Sequence, residues 1–379
     1  MTFPIGIYIH IPFCKQKCYY CNFNSIPLDS RKLLRSYAGV LMEDARLSSQ
    51  NFPKRVVKSV YFGGGTPSLL AAKEAALILQ TIAKNFVFSA NPEITLEVNP
   101  ATVSSSKAKA YRQAGINRVS LGAQSFCDKS LKILGRIHTV KDIFFTLSIL
   151  HKAGFENVSI DLMYGLPGQS LFEWSNDLDK FTRLAVTHIS FYDLKIERKT
   201  PFYRMRKKLN LADDDLQVKM YRLGCNKLEK AGYRHYEISS FAKDGFESMH
   251  NKIYWENTGY LGLGAGAYSY LGGFRFAKNR NIKKYISEVK KGKLGRYDAE
   301  KISGKARIKE SIALRLRILK PFLLKDVMPL FDADWEGEFR ARLETLRTQG
   351  FLRRVKDKYC LSKRGVLFYD TVAASMLYD

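Results

Sequence analysis

The chain has 379 residues, 46% of them hydrophobic, so it can bury one large core or two unequal ones. Its net charge is +26, and no uncharged apolar run approaches the roughly 18 residues that a membrane span needs. Six cysteines without paired spacing, and an N-terminus without an export signal, argue against a disulfide-stapled secreted protein. We therefore expect a cytoplasmic protein with reduced thiols.

Much of the positive charge is concentrated in two segments. Residues 195–208 hold seven basic side chains and one acidic one, and residues 275–296 hold nine and one. A field of this kind attracts polyanions such as RNA, anionic lipid or a ligand with several carboxylates. Solvated helix faces in a basic protein explain it equally well, so charge alone does not select a partner.

Strand-like and helix-like patterns alternate over the first 200 residues. The apolar, β-prone runs are residues 5–11, 59–62, 94–98, 118–121, 158–162 and 188–193. Between them, helical patterns cover residues 30–47, 71–85, 104–114, 141–153 and 171–184. Such alternation predicts parallel strands with both faces of the sheet covered by helices. We therefore predict an α/β fold in which residues 1–200 form a partial (β/α)6 barrel of the TIM type.

The pattern changes after residue 200. A helix is predicted at residues 213–231 and a strand at 233–238, and residues 201–297 as a whole are predicted to be an extension associated with the barrel. Residues 298–379 are mostly helical, with a small hairpin predicted from residues 352–355 and 359–361. Helices that end in a two-stranded wing predict a smaller helical, winged-helix-like C-terminal domain.

The distinctive polar and small residues fall where predicted strands end. A cysteine-containing loop follows the first strand, and the run Gly63-Gly64-Gly65-Thr66-Pro67 follows the second. Glu97 ends the third strand, Gln124 follows the fourth, and Asp161 lies on the fifth. Because chemistry in such barrels collects at the carboxyl ends of the strands, we expect these residues to line one site.

Three cysteines, Cys14, Cys18 and Cys21, stand in a C-x3-C-x2-C spacing directly after the first strand. Three thiolates on one loop can hold three corners of a 4Fe–4S cluster, which leaves one iron open to the amino and carboxylate groups of a methionine-like molecule. The alternative is a structural zinc site, which usually has four ligands; no second C-x2-C pair exists, and His10 lies upstream on the strand. The spacing resembles that of the radical S-adenosylmethionine superfamily.

Several other groups at the predicted strand ends suit a ligand that carries ribose and carboxylate groups. The triglycine exposes backbone that a ligand can approach closely. Gln124 offers an amide, Arg136 a guanidinium that can grip a carboxylate, and Asp161 a carboxylate for ribose hydroxyls. Each alone is more often a structural polar group, but their shared placement on one face favours the functional interpretation.

Together these segments resemble the family of oxygen-independent coproporphyrinogen III oxidase and its relative, the heme chaperone HemW. The resemblance covers roughly residues 5–273. It implies a 4Fe–4S cluster on Cys14, Cys18 and Cys21, with S-adenosylmethionine at the open iron. The residues whose positions match the family's S-adenosylmethionine contacts are Tyr8, Gly64, Gly65, Thr66, Glu97, Gln124, Arg136 and Asp161. Tyr20 matches an aromatic residue that packs against this cofactor.

Two features separate the branches of this family. The first is the N-terminal region: the oxidase has a further cysteine in a C-x3-C-x2-C-x-C pattern, whereas Phe23 occupies that place here. The oxidase also has an N-terminal extension before the cluster strand, whereas only 13 residues precede Cys14 in this sequence. The segment His250-Asn251-Lys252-Ile253-Tyr254-Trp255 is similar to the heme-binding signature of HemW, which implies an exposed His250 as the ligand of heme iron. The alternative for His250 is a hydrogen-bonded structural histidine.

The resemblance implies a heme chaperone that binds one heme and passes it to heme-accepting proteins, with respiratory and membrane-associated proteins as candidates. The enzymatic alternative is oxidative decarboxylation of coproporphyrinogen III. RNA modification is a third class, motivated by the net charge, but no second cluster motif or RNA-binding module is recognisable, and no nucleic acid partner is expected. The isolated cysteines are expected to be inert packing residues: Cys127, Cys225 and Cys360.

Overall fold

The computed structural model describes residues 3–53, 55–327 and 335–378. In its first half, strands and helices alternate in the order β1 (Phe3–Ile11), β2 (Phe13–Cys14), β3 (Ile26–Pro27), α1 (Arg31–Asn51), β4 (Arg55–Gly64), α2 (Ala72–Asn85), β5 (Val87–Val98), α3 (Ser105–Gln113), β6 (Arg118–Gln124), α4 (Asp128–Ile133), α5 (Val140–Lys152), β7 (Asn157–Tyr164), α6 (Leu171–Thr182) and β8 (His188–Asp193).

The second half consists of shorter elements. They are α7 (Pro201–Met205), α8 (Asp214–Lys230), β9 (Arg234–Glu237), β10 (Ser240–Ala242), α9 (Met249–Trp255), β11 (Gly259–Leu263), β12 (Tyr268–Leu271), β13 (Phe274–Ala277), α10 (Ile282–Lys290), β14 (Tyr297–Lys301), α11 (Gly304–Leu316), α12 (Leu324–Val327), α13 (Glu336–Thr348), β15 (Leu352–Val355), β16 (Lys358–Leu361), α14 (Lys363–Leu367) and α15 (Tyr369–Leu377).

Parallel strands form the centre of the molecule. Among the described residues, twelve strands make one sheet in the order β14-β13-β12-β11-β1-β4-β5-β6-β7-β8-β10-β9. The strands β1, β4, β5, β6, β7 and β8 run parallel to their neighbours in this series. Their apolar side chains share one core with those of α1, α2, α3, α5 and α6. The predicted α/β fold with a partial (β/α)6 barrel is confirmed.

The sheet continues beyond the six predicted strands at both ends. The strand β11 pairs in parallel with β1, and β12, β13 and β14 follow it as antiparallel neighbours. At the other end, β10 and β9 add antiparallel to β8. Most of these added strands were not predicted because each has only three to five residues and lies in glycine- and aromatic-rich sequence that shows no clear period.

Local sequence explains where the first elements begin and which way they face. The four isoleucines of β1 from Ile5 to Ile11 are fully buried, and Gly6 and His10 between them are buried as well, as expected for a strand covered on both sides. Ser30, Ser104, Thr139 and Ser170 each stand just before a helix, and their side chains accept a hydrogen bond from the backbone N–H three residues later. These caps satisfy backbone groups that the first helical turn leaves unpaired, and so they fix the helix starts.

The C-terminal part has a core of its own. Side chains of α11, α13, α15 and the hairpin pack together, with Ile312, Phe339 and Tyr359 fully buried. The strands β15 and β16 pair in antiparallel fashion, which is the hairpin expected after the helices. The domain boundaries at residues 200 and 297 stay predictions. Within the described residues, no helix is long and apolar enough to cross a membrane.

Candidate functional site

A cleft of about 530 Å³ opens at the carboxyl ends of the parallel strands. We call it the cofactor cleft. The predicted site residues that line it are Cys14, Cys18, Tyr20, Cys21, Gly64, Gly65, Thr66, Glu97, Gln124, Arg136 and Asp161. Tyr8 and His250, which were also predicted, are not among its lining residues. The strand-end argument therefore brings most of the candidates together in one place.

Backbone hydrogen bonds hold the cysteine loop, residues 14–21, in place. Cys14 ends β2, and its carbonyl oxygen accepts a hydrogen bond from the Leu28 N–H at 2.8 Å. The N–H of Cys21 donates to the carbonyl of Cys18 at 3.2 Å, which closes a turn between these two residues. All three thiols are free, and burial raises the pKa of Cys14 and of Cys21. The loop thus presents three unpaired sulfur ligands to one cleft.

These three thiols suit a cluster better than a zinc ion that uses His10. His10 is buried, and both of its ring nitrogens are engaged: Nδ1 with the Tyr8 hydroxyl at 2.9 Å, and Nε2 with the Asn24 carbonyl at 2.8 Å. It is therefore not a free fourth ligand. Among the described residues, no three His, Cys, Asp or Glu side chains stand close enough to hold a single metal ion. In a cubane, by contrast, each thiolate binds a different iron.

Two glycines are required by close contacts beneath the cysteine loop. A Cβ on Gly65 would lie 2.7 Å from the Phe13 carbonyl oxygen and 2.9 Å from the Cys14 sulfur. Gly64 has φ of +112°, and a Cβ there would also meet the His10 ring at 2.6 Å. Only glycine lets the end of β4 approach the loop so closely. The triglycine segment therefore packs directly against a sulfur ligand.

Asn99 connects three parts of the cofactor cleft, although it was not predicted as a site residue. Its Nδ2 donates to the Thr66 Oγ1 at 2.9 Å, and its Oδ1 accepts from Arg136 Nη2 at 2.7 Å. Arg136 also donates to the Gly122 carbonyl at 2.6 Å, and its Nη1 lies 3.5 Å from the Cys18 sulfur. Asn99 directly follows β5, so the strand-end argument that singled out Glu97 could have found it.

Gln124 is held in an unusual backbone conformation. Its φ is +70°, in the left-handed region that non-glycine residues rarely adopt. Its Oε1 accepts a hydrogen bond from the Tyr192 hydroxyl at 2.9 Å, and Tyr192 lines the same cleft. Conformations of this kind persist where the surrounding structure fixes them, and they cluster at functional sites. Tyr192, at the end of β8, was also missed by the sequence analysis.

Two buried carboxyl groups face the cofactor cleft. Burial raises the pKa of Glu97 to about 8, even though its oxygens accept hydrogen bonds from the Tyr61 hydroxyl at 2.8 Å and from the Gly64 N–H at 3.2 Å. Burial also raises the pKa of Asp161 to about 6, against the opposing effect of Arg118 and of the Ser120 hydroxyl. The charge of both groups therefore depends on pH in the neutral range.

Replacement of Glu97 by glutamine should reduce the pH dependence of stability in the cofactor-free protein. The pKa of Glu97 is about 8 in the folded protein against 4.5 for the ordinary group, so the folded state binds the extra proton. The contribution of this proton to the free energy of unfolding is complete below about pH 4.5. It is lost as the pH rises from about 4.5 through about 8, by about 1.4 kcal/mol for each unit of difference between the two pKa values. Thermal unfolding at several pH values measures this. Equal pH slopes in wild type and Glu97→Gln would contradict it.

His250 lies outside the cofactor cleft and is buried, with only 1% of its surface exposed. Its Nδ1 is hydrogen-bonded to the Ser59 hydroxyl at 2.8 Å and its Nε2 to the Tyr254 hydroxyl at 2.9 Å. Its ring stacks on Tyr61, and burial lowers its pKa to about 3. The expected exposed imidazole is therefore not what the structure shows, because α9 turns this side chain inward against β4.

A second opening lies next to the cofactor cleft. This groove of about 370 Å³, which we call the aromatic groove, is lined by Tyr8, His10, Asn22, Phe23, Asn24, Tyr254, Tyr260, Gly266, Ala267, Tyr268 and Arg280. Asn22 and Phe23 also line the cofactor cleft, so the two residues directly after the cysteine loop form a wall shared by the two openings. Trp255 is not among the lining residues of this groove; its ring lies 4.1 Å from the guanidinium of Arg317.

The residues of the cofactor cleft fit a 4Fe–4S cluster with S-adenosylmethionine. The cleft contains three free thiols. Gly65, directly after β4, packs so tightly against Cys14 that a side chain at this position would not fit. The same cleft offers a guanidinium from Arg136, an amide from Gln124 and a carboxyl from Asp161. These groups can bind the carboxylate, the amine and the ribose of such a ligand.

Comparisons with known proteins identify the family. A model of the radical SAM superfamily matches residues 8–181, and a model of the HemN C-terminal domain matches residues 302–368. The chain is 34% identical to the heme chaperone HemW of Lactococcus lactis, over 99% of this chain and 98% of the relative. It is also 34% identical to the heme chaperone HemW of Escherichia coli, over 99% of each.

A solved structure supports the fold over almost the whole chain. It is that of coproporphyrinogen III oxidase (HemN) from Escherichia coli, a radical SAM enzyme, with a TM-score of 0.84 and 22% identity over 99% of this chain and 90% of that one. At this identity the likeness concerns the fold. The full-length identity to HemW proteins is what separates the branches, and the chain belongs to the HemW family of the radical SAM superfamily.

Proposed function

We propose that the protein is a heme chaperone that binds one heme and transfers it to acceptor proteins. The observation that carries this proposal is the identity of 33–34% to proteins named heme chaperone HemW from Lactococcus lactis, Bacillus subtilis and Escherichia coli, over 98–99% of this chain. Phe23 stands where the oxidase branch has a further cysteine, and it is 61% exposed at the mouth of both openings.

We further propose that Cys14, Cys18 and Cys21 hold a 4Fe–4S cluster and that the cofactor cleft binds S-adenosylmethionine. When bound, the pair would supply one-electron chemistry at the open iron. Gly64, Gly65 and Thr66 would offer backbone and hydroxyl groups to the amino acid part of this ligand. Gln124, Arg136 and Asp161 would orient its carboxylate and ribose, and Glu97 lines the same cleft. Tyr20 would provide an aromatic face.

The heme would lie in the aromatic groove. Tyr8, Tyr260 and Tyr268 give apolar faces to a macrocycle, and Arg280 is an exposed cation for a propionate. Because Asn22 and Phe23 belong to both openings, occupancy of the cofactor cleft would change the shape of the groove. The cluster region would in this way gate heme transfer.

Acceptor proteins would approach this side of the molecule. The basic segment 195–208 holds seven cationic residues and one acidic one, and Lys195 lines the cofactor cleft. An acidic acceptor surface, as on a respiratory or membrane-associated protein, would be attracted to it. We propose a cytoplasmic location for this transfer.

Hemin uptake and transfer test the proposed function. We expect the purified protein to bind one hemin per chain, and we expect the bound heme to move to an apo-acceptor when the two are mixed. Anaerobic incubation with coproporphyrinogen III, reductant and S-adenosylmethionine should yield no protoporphyrinogen. Catalytic product formation would favour the oxidase alternative, and failure to retain hemin would refute the chaperone function.

S-adenosylmethionine should change the electron-paramagnetic resonance signal of the reduced, reconstituted cluster. In the Asp161→Ala and Gln124→Ala variants we expect this change to require more S-adenosylmethionine, while the iron content stays at the wild-type value. The reason is that both side chains face the cleft but neither supplies a sulfur ligand. Cys127→Ala is the control, because Cys127 does not line the cleft. Loss of iron from the Asp161 or Gln124 variant would show a structural role instead.

A further inference from the structure

We infer that Tyr254, and not His250, presents the ligand atom to heme iron, and that His250 positions the Tyr254 hydroxyl. This inference rests on the proposed heme-binding function and assigns the ligand within it. It follows from three features of the structure: the engagement of both nitrogens of His250, the position of Tyr254 between His250 and the aromatic groove, and the chemistry of the groove lining.

His250 has no ring nitrogen left for iron in this arrangement. Ser59 holds Nδ1 at 2.8 Å from β4, and the Tyr254 hydroxyl holds Nε2 at 2.9 Å. The ring is also packed from below, since a Cβ on Gly6 would lie only 3.1 Å from its Cε1. The backbone N–H of His250 donates to Glu93 at 3.0 Å, which ties the start of α9 to β5. Iron ligation through Nε2 would require the hydrogen bond to Tyr254 to break and the buried ring to become accessible.

Tyr254 is one helical turn later and stands at the boundary between this buried cluster and the groove. It is partly exposed and lines the aromatic groove, whereas His250 does not. Its ring is fixed edge-on against Tyr260, with ring centroids 4.7 Å apart, and edge-on against His250 at 4.9 Å. The hydrogen bond between its hydroxyl and the Nε2 of His250 then fixes the position of the phenol oxygen.

The remaining lining suits a heme bound by a phenol oxygen. Tyr8 and Tyr268 offer flat apolar surface, and Phe23 projects into solvent at the rim. Arg280 is exposed and supplies a positive charge for a propionate. The groove is open to solvent, which allows a bound heme to leave toward an acceptor.

Tyrosine is an established axial ligand of heme iron. Ligation forms one iron–oxygen bond and breaks the phenolic O–H bond, and the proton is released to water. The phenolate places one negative charge on ferric heme and leaves the iron oxidation state unchanged. The His250 Nε2, 2.9 Å from this oxygen, can keep a hydrogen bond to it after ligation.

Resonance Raman spectra of the ferric hemin complex test the assignment. Excitation into an iron–phenolate charge-transfer band should enhance tyrosinate ring modes in the wild type and abolish them in Tyr254→Phe, which keeps the ring but removes the ligand atom. Tyr268→Phe is the matched control, because Tyr268 lines the same groove and its hydroxyl instead pairs with Asp298 at 3.3 Å. It should retain the tyrosinate modes. His250→Gln should retain them with shifted frequencies.

The possible outcomes test the ligand assignment and the heme chaperone function separately. A Tyr254→Phe complex with the wild-type hemin spectrum would overturn the ligand assignment while leaving the chaperone function in place. An imidazole-ligated spectrum in the wild type that disappears in His250→Gln would do the same in favour of His250. Failure of the wild type to take up any hemin would overturn the proposed function and this assignment with it. Equal thermal unfolding of the three variants and the wild type would show that the fold is kept.

Discussion

Replacement of Cys18 by alanine is expected to reduce the iron and sulfide of the reconstituted protein from about four of each per chain to nearly none. The three thiols of the cysteine loop line one cleft, and no other cysteine of the chain lines it, so no neighbour can replace the missing ligand. The Cys18 sulfur also lies 3.5 Å from Arg136 Nη1, so the substitution removes one of the partners of a half-buried guanidinium. Iron and sulfide analysis with the visible absorption spectrum measures the loss.

Cys127→Ala is the matched control for this experiment. Cys127 is partly exposed at the start of α4, and its side chain caps no backbone N–H, so the variant should keep the full cluster. The aromatic groove is lined by none of the three cysteines, and Cys18→Ala should therefore still bind hemin. Stoichiometric zinc without sulfide in the wild type, or an equal loss of iron in Cys127→Ala, would contradict the cluster assignment.

Much of the barrel was predictable because its strands are long enough to show a pattern. β1, for example, buries Ile5, Ile7, Ile9 and Ile11 in succession, and the helix that follows begins directly after the capping Ser30. Once the strands were placed, the shared direction of parallel strands predicted which residues would meet. Glu97 and Asp161 lie on different strands, yet both line the cofactor cleft.

The remaining features depend on contacts that no local pattern encodes. Ser59 and His250 are 191 residues apart in the chain, and only the packing of α9 on β4 brings them within 2.8 Å. The resemblance of its segment to a heme-binding signature suggested His250 as a heme ligand, but the sequence could not show that both ring nitrogens would be occupied. Trp255 is similar: it belongs to the segment that resembles the heme-binding signature, whereas in the structure its ring lies against the guanidinium of Arg317 from the C-terminal part.

The short added strands were missed for a related reason. The strand β10 has three residues, and its place in the sheet is set by pairing with β8 and β9 and not by its own composition. Asn99 was missed because an amide after a strand is common in loops. Its role becomes visible only when Thr66 and Arg136 are seen on either side of it.

Replacement of Gly65 by alanine should prevent the cysteine loop from adopting its position and so remove most of the cluster. The added methyl group would lie 2.7 Å from the Phe13 carbonyl oxygen and 2.9 Å from the Cys14 sulfur. Both are closer than van der Waals contact, and the first of them is backbone, which cannot rotate away. Forcing a methyl group into packed surroundings costs typically about 1–3 kcal/mol. We therefore expect a lower free energy of unfolding for the cofactor-free protein as well as a lower iron content.

Gly39→Ala adds the same methyl group where nothing obstructs it. Gly39 is exposed in the middle of α1, and a Cβ there would meet no atom within 4 Å. Since alanine favours a helix interior over glycine, this variant should be more stable by up to about 1 kcal/mol, with unchanged iron. Urea unfolding and iron analysis of both variants then show how the same added methyl group changes the free energy of unfolding and the iron content at a crowded and at an open position. Full iron content in Gly65→Ala would mean that the loop can shift without losing its ligands, and that the tight contact at Cys14 does not determine cluster binding.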